Sequence, residues 1–174
     1  APPGVLMGLD PVSALSFVPS LTSERMQALS RIAPLSRGAP THEKVVLRWS
    51  PADVFWPVDA PLLASPDAHL CLENLHRLGP SYLGLILAHV WPGGEVQVTG
   101  RSDEQVVDAV LMVLARAFPI AAGKSGGLPR PRQALVTRWA ADPFALAAYA
   151  AAGPEALPSD WDRAFAPLPE PCRA

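Results

Sequence analysis

The sequence predicts an α+β fold, and three observations point to it. Short runs rich in β-branched, apolar and aromatic residues recur at 44–49, 70–75, 82–91, 95–99 and 133–139, as expected of strands. Two other segments, 23–32 and 102–118, have helix-start chemistry followed by apolar residues at three- to four-residue spacing. The 21 prolines and 12 glycines fall largely where these elements would end.

In chain order, Pro2-Pro3-Gly4 opens with a turn, and Leu15 to Val18 is an extended run closed by Pro19. Thr22 or Ser23 can accept hydrogen bonds from the free amides of a helix start, and Glu24 suits the positive end of its dipole. Met26, Leu29 and Ile32 mark the apolar stripe of a helix that stops before Pro34. A polar loop delivers the chain to Lys44-Val45-Val46-Leu47-Arg48-Trp49, a strand that Lys44 opens, where an ammonium is ordinarily wet. Residues 57–67 read as a proline-rich loop and Leu70 to Leu75 as a weakly alternating strand. Tyr82 to Trp91 is almost continuously apolar, as for a central strand buried on both faces. Glu95 to Thr99 alternates like a half-buried edge strand. Ser102-Asp103-Glu104-Gln105 is a capping box, and its helix should bury Val106, Val110, Val113, Leu114 and Ala117 before Pro119 ends it. Gln133 to Trp139 is a further strand, and residues 153–174 read as a loop-like tail pinned by Trp161 and Phe165.

Composition narrows the function classes. A net charge of −2 gives no electrostatic footprint for nucleic acid or an anionic membrane surface. No apolar run reaches the roughly 18–20 residues of a membrane span. The 49% hydrophobic content is high and suggests burial against another polypeptide or domain. Cys71 and Cys172 form neither a zinc pattern nor a disulfide framework, and the four histidines show no metal-ligand spacing. No metal is expected, and the histidines read as structural. Gly123-Lys124-Ser125 lacks the glycine and feeding strand of a phosphate loop. There is no G-x-S-x-G for nucleophilic hydrolysis. The chain starts at Ala1 without a signal-peptide pattern and reads as a processed or excised piece, with an intracellular setting as the expectation.

Two motifs carry a resemblance. Glu43 to Trp56, E-K-V-V-L-R-W-S-P-A-D-V-F-W, resembles the (N/E)-K-V-V-L-x-(F/W)…F-W signature of the flavin-dependent amine oxidases, a group that includes polyamine oxidases and lysine-specific histone demethylases. Thr137-Arg138-Trp139-Ala140-Ala141-Asp142-Pro143, continuing to Tyr149, resembles that family's (S/T)-R-W-x-x-D-P-x-x-x-G-S-Y without a gap. The likeness covers roughly residues 2–153, an amine-oxidase-like substrate domain, leaving 154–174 as a Pro/Ala-rich tail. It implies a mixed, mostly antiparallel sheet of about five or six strands, with the helices near 23–32 and 102–118 packed on one face.

The resemblance also implies a chemistry. Lys44 would be the catalytic residue, holding a water against the flavin N5 and so touching the cofactor indirectly. Tyr149 would form one wall of an aromatic cage that orients an amine. Trp139, otherwise a core tryptophan, and Glu73, otherwise a strand-face carboxylate, are the further substrate-binding candidates. FAD would be the cofactor, yet the chain has no G-x-G-x-x-G to seat a dinucleotide, and it spells Ala148-Tyr149-Ala150-Ala151 where the family has S-Y-S-Y. By itself it is not expected to hold FAD. Two expectations follow. In one, the chain is the substrate-domain part of an amine oxidase, acting on a polyamine or similar amine with a second polypeptide or portion that carries the dinucleotide fold. In the other, it is a catalytically silent subunit of a larger assembly.

Overall fold

The computed structural model describes residues 21–32, 41–67, 69–122, 127–143, 145, 148–149 and 155–167. The expectations for 2–6, 15–19 and 123–125 lie outside them. The chain divides into two compact units, one formed by Pro40–Arg138 and the other by Ala1–Ala39 with Trp139–Ala174.

The first unit is built on a five-stranded sheet. Its strands are β1 (Glu43–Arg48), β2 (Leu62–Leu63), β3 (Leu70–Asn74), β4 (Leu85–Val90) and β5 (Gln133–Val136), in the spatial order β2-β3-β4-β1-β5. Every pairing is antiparallel, so the sheet expected to be mixed and mostly antiparallel is wholly so. Strand periodicity sends alternate side chains to opposite faces. Val45 and Leu47 of β1, Leu70 and Leu72 of β3, and Ile86, Ala88 and Val90 of β4 share the buried face. Against them lies α2 (Asp103–Ala117), burying Val106, Val107, Val110, Val113 and Leu114 in the same core. Each buried valine, leucine or isoleucine among them contributes about 1.5–3 kcal/mol of hydrophobic stabilisation. The capping box forms as expected: Ser102 Oγ accepts from the Gln105 amide at 3.3 Å, and Gln105 Oε1 accepts from the Ser102 amide at 2.9 Å. A further turn, α3 (Pro119–Ala122), follows.

Three details differ from the sequence reading. β4 is central, but it is buried on one face only, because Leu85, Leu87 and His89 stay partly exposed opposite the helix-covered side. Residues 95–99 bury Val96 and Val98 alternately but pair with no strand among the described residues. Side chains hold their backbone instead: Asp67 Oδ2 accepts from the Glu95 amide at 2.9 Å, and Arg138 donates to the Val98 carbonyl at 3.2 Å. The proline-rich loop contains the two-residue β2, which Asn74 of β3 ties down by donating from its amide to the Pro61 carbonyl at 3.0 Å. Gly84, at φ 81°, precedes β4 where a Cβ would stand 2.6 Å from the Trp49 carbonyl oxygen, so only glycine fits.

In the second unit α1 (Ser23–Ile32) starts where Thr22 Oγ1 accepts from the Arg25 amide at 3.4 Å, and it buries Ala28 and Ile32. α4 (Pro158–Phe165) occupies part of the stretch expected to be loop-like. Pro158 presets φ for a first turn, and Asp160 Oδ2 accepts from the Leu157 amide at 2.9 Å. Short length and five prolines within 154–171 hid this helix. The two helices pack together, joined by a bidentate ion pair: Arg31 donates to Asp160 at 2.8 and 2.5 Å. Arg25 adds bonds to the carbonyls of Arg163 and Ala166. Trp161 and Phe165 stack on each other with centroids 5.9 Å apart, and Phe165 stays 73% exposed. The anchor is therefore the buried carboxylate rather than the aromatic pair.

Candidate functional site

The two signature motifs, read separately in the sequence, meet in the sheet. β5 pairs with β1, and just beyond it the Thr137 amide donates to the Lys44 carbonyl at 2.9 Å. Thr137 Oγ1 accepts from the Lys44 amide at 2.8 Å and donates to the Glu43 carboxylate at 2.6 Å. Glu43 points into the protein, 4% exposed, so strand alternation sends Lys44 to the opposite, open face. Next to Thr137, Arg138 donates to the carbonyls of Val98 and Arg101 and to Asp103 Oδ1. The T-R dipeptide therefore fixes the backbone of Lys44 on one side and the entry to α2 on the other.

Lys44 does not stand alone on that face. In the register it lies directly across from His89 of β4, which in turn lies across from Cys71 of β3. His89 Nε2 is 3.5 Å from Glu73 Oε2, a diagonal contact to β3. On its other side, His89 Nδ1 is 3.2 Å from Nε2 of His42, just before β1. The His42–His89 centroids are 5.3 Å apart with planes 10° from parallel. That separation is close to the greatest two imidazoles can have with their nearest nitrogens at 3.2 Å, so the rings meet edge to edge. Trp91 lies against His42 with centroids 4.7 Å apart and planes 10° from parallel. Burial lowers the pKa of His42, helped by His89 and Lys44 and opposed by Glu43.

Of the expected site residues, Lys44 and Glu73 therefore share one face of the sheet, with His89 between them. Trp139 and Tyr149 belong to the other unit. Both are well exposed, Trp139 at 41% and Tyr149 at 51%, so Trp139 is not the core tryptophan its sequence context suggested. The tryptophans that fill the core are Trp49, whose indole donates to the Pro129 carbonyl, and Trp56, which donates to Asn74. Sequence reading passed over His42, His89 and Trp91 because the pair is 47 residues apart and only the β1–β4 register joins it. No group of histidines, cysteines and carboxylates that could hold a metal ion occurs among the described residues. No described helix is long and apolar enough to cross a membrane.

Comparison with known proteins agrees with the motifs that meet here. The profile of the flavin containing amine oxidoreductases matches residues 1–172. The chain belongs to that family. It is 30% identical over 150 residues to probable polyamine oxidase 4 of Arabidopsis thaliana, a match covering 84% of this chain and 27% of that protein. It is also 28% identical over 149 residues to polyamine oxidase 5 of Oryza sativa subsp. japonica, covering 83% and 27%. The chain thus spans about a quarter of the length of these relatives.

Membership implies FAD in the full-length enzyme. The described residues do not fit its pyrophosphate. Of the amides that begin α2, those of Ser102 and Gln105 are engaged by the capping box. The Gly93-Gly94 turn is already filled: a Cβ on Gly94 would stand 2.6 Å from His69 Cβ and 2.8 Å from Asp67 Oδ2. Lys44, which the first motif names, is exposed on the open face of the sheet.

Proposed function

We propose that this chain is the substrate-side part of an FAD-dependent oxidase of a polyamine or similar amine, acting with a flavin-binding portion elsewhere in the protein or on a second polypeptide. The observation that carries this reading is the placement of Lys44. Its backbone is clamped by Thr137 on both hydrogen-bonding groups, while its side chain stands on the open sheet face with Glu73. When bound, FAD supplies the oxidation itself, accepting hydride from the carbon next to the amine nitrogen. This chain's residues hold and orient. Lys44 would position a water beside the flavin ring and Glu73 would attract the ammonium group of the substrate; Tyr149 and Trp139, on the other unit, would each offer aromatic surface to an amine. Relatives named as polyamine oxidases favour a polyamine over an amino acid.

The test is a flavin absorbance spectrum of the natively purified full-length protein, with its associated chains resolved on a gel. A yellow preparation that oxidises spermidine is expected, and Lys44→Met should slow turnover or flavin reoxidation by about tenfold or more. A stable assembly that stays colourless with added FAD would overturn the oxidase reading. The alternative, a silent structural subunit on an amine-oxidase fold, would then hold; it is favoured by the single tyrosine in Ala148-Tyr149-Ala150-Ala151.

A further inference from the structure

The open face of the sheet links Glu73 to two histidines that the proposed chemistry does not use. Glu73, His89 and His42 come from β3, β4 and the residue before the Glu43 start of β1, and contacts of 3.5 and 3.2 Å join them in series. The order of the contacts sets the protons. An ionised Glu73 accepts from Nε2–H of His89, which leaves Nδ1 of His89 as an acceptor and makes Nε2–H of His42 its donor. From this geometry we infer that Glu73, His89 and His42 form a proton-sensitive amine site: the carboxylate holds a cationic amine while both imidazoles are neutral, and releases it when they take up a proton. The inference rests on the reading of Glu73 as an amine contact.

The proton comes from solvent and bonds to an imidazole nitrogen lone pair; nothing else is made or broken. It places a positive charge within reach of Glu73, where it competes with the amine for the same carboxylate. Imidazole is the side chain that makes this change between about pH 5 and 8. The other groups facing the pair among the described residues set its bias. Lys44 lies directly across from His89 and Cys71 flanks it on β3, while the Glu43 carboxylate lies on the opposite face of β1. Burial, His89 and Lys44 outweigh Glu43 at His42 and bias its ring toward the neutral form in which the site holds an amine. Trp91 lies flat against His42 and restricts the ring to the plane in which it meets His89. His89 is thus a positioning residue, acting on the amine through Glu73.

The experiment is a calorimetric titration of the full-length protein with spermidine at about pH 8 and about pH 6. Affinity should be about tenfold weaker at the lower pH. In the double variant H42Q/H89Q an amide N–H can still face Glu73 but cannot take a charge, so affinities at the two pH values should agree within about twofold. Should that variant fail to fold, the imidazole C–H resonances of the unsubstituted protein give a second readout. Because the neutral form binds the amine, spermidine must lower the midpoints at which His42 and His89 titrate, by the reciprocity of linked equilibria. Equal affinity at both pH values, the same pH dependence in the double variant, absence of saturable binding, or unmoved histidine midpoints would each overturn the inference. Loss of amine oxidation with pH-dependent spermidine binding retained would remove the proposed activity and leave this site standing.

Discussion

Asn74 is fully buried at the end of β3, and its side-chain amide organises the proline-rich loop next to it. Nδ2 donates toward the carbonyls of Pro57, Val58 and Ala60 at 3.3, 2.9 and 2.9 Å, while Oδ1 accepts from the Trp56 indole and the His76 amide, both at 3.2 Å. A chain rich in proline lacks amides to satisfy its own carbonyls, and one buried carboxamide supplies them here. Asn74→Ala would remove the Asn74 bonds to the Val58 and Ala60 carbonyls and to the Trp56 N–H, leave Pro57 only the Ala60 amide, and should destabilise the protein by about 2–4 kcal/mol in urea unfolding. Asn74→Asp keeps the acceptor and loses the donor, so it should also destabilise strongly at neutral pH. A neutral Asn74→Asp would show that the donor side of the clamp is unimportant. Sequence reading had no means to find this residue, because a strand-end asparagine reads like any turn former until its burial is known. Lys44 is the opposite case. The motif named it, and what the structure adds is its clamp by Thr137, 93 residues away.

At the scale of elements, local chemistry decided what could be read. α2 was legible at its start, written in four consecutive positions, and along most of its stripe of valines at helical spacing, although Val107 is buried and the expected Ala117 is only half-buried. α1 was legible for the same reason. The paired strands β1, β3, β4 and β5 were found from β-branched and apolar runs, whereas two-residue β2 carries too little pattern to register. Residues 95–99 show that alternation reports burial rather than pairing, since Asp67 and Arg138 stand in for a neighbouring strand. The Glu73–His89–His42 series was illegible for a related reason: it depends on strand order and register, which single-strand patterns do not contain. The capping box permits a direct check on α2. Ser102→Ala removes the acceptor for the Gln105 amide and should lower stability by about 1 kcal/mol, while Ser102→Asp should recover most of it. Thermal melts of the three proteins decide the point, and an unchanged Ser102→Ala midpoint would mean that Arg138 on Asp103 holds the helix start by itself.

Across the whole molecule, the sheet unit is one continuous segment, and the other unit is assembled from the two ends of the chain. The Arg31–Asp160 ion pair joins those ends across 129 positions, and Asp160 is completely buried. The bidentate Arg31 hydrogen bonds, followed by the Leu157 amide, hold the Asp160 carboxyl well below the usual carboxylate range, against the opposing effect of burial. A carboxyl whose folded pKa lies below its unfolded value of about 3.9 adds stability that is fully present above that value, and the contribution is lost as pH falls toward the folded pKa. The α1–α4 pairing should therefore loosen below about pH 4. The core of the sheet unit is buried hydrocarbon, Val45, Leu72, Ile86, Ala88, Val110 and Leu114 among it, while its buried carboxylates, Glu43 and Asp67, bind Thr137 and the amides of His69 and Glu95. Amide hydrogen exchange on the full-length protein near neutral pH and again near pH 3 would separate the two units. Amides of α1 and α4 should lose protection first in acid, while β1 and β4 stay protected. Asp160→Asn should produce the same local loss at neutral pH, with little further change on acidification, because the amide cannot titrate. Simultaneous loss of protection in α4 and β4 would instead mean that the two units unfold as one and that the ion pair is not what closes the second.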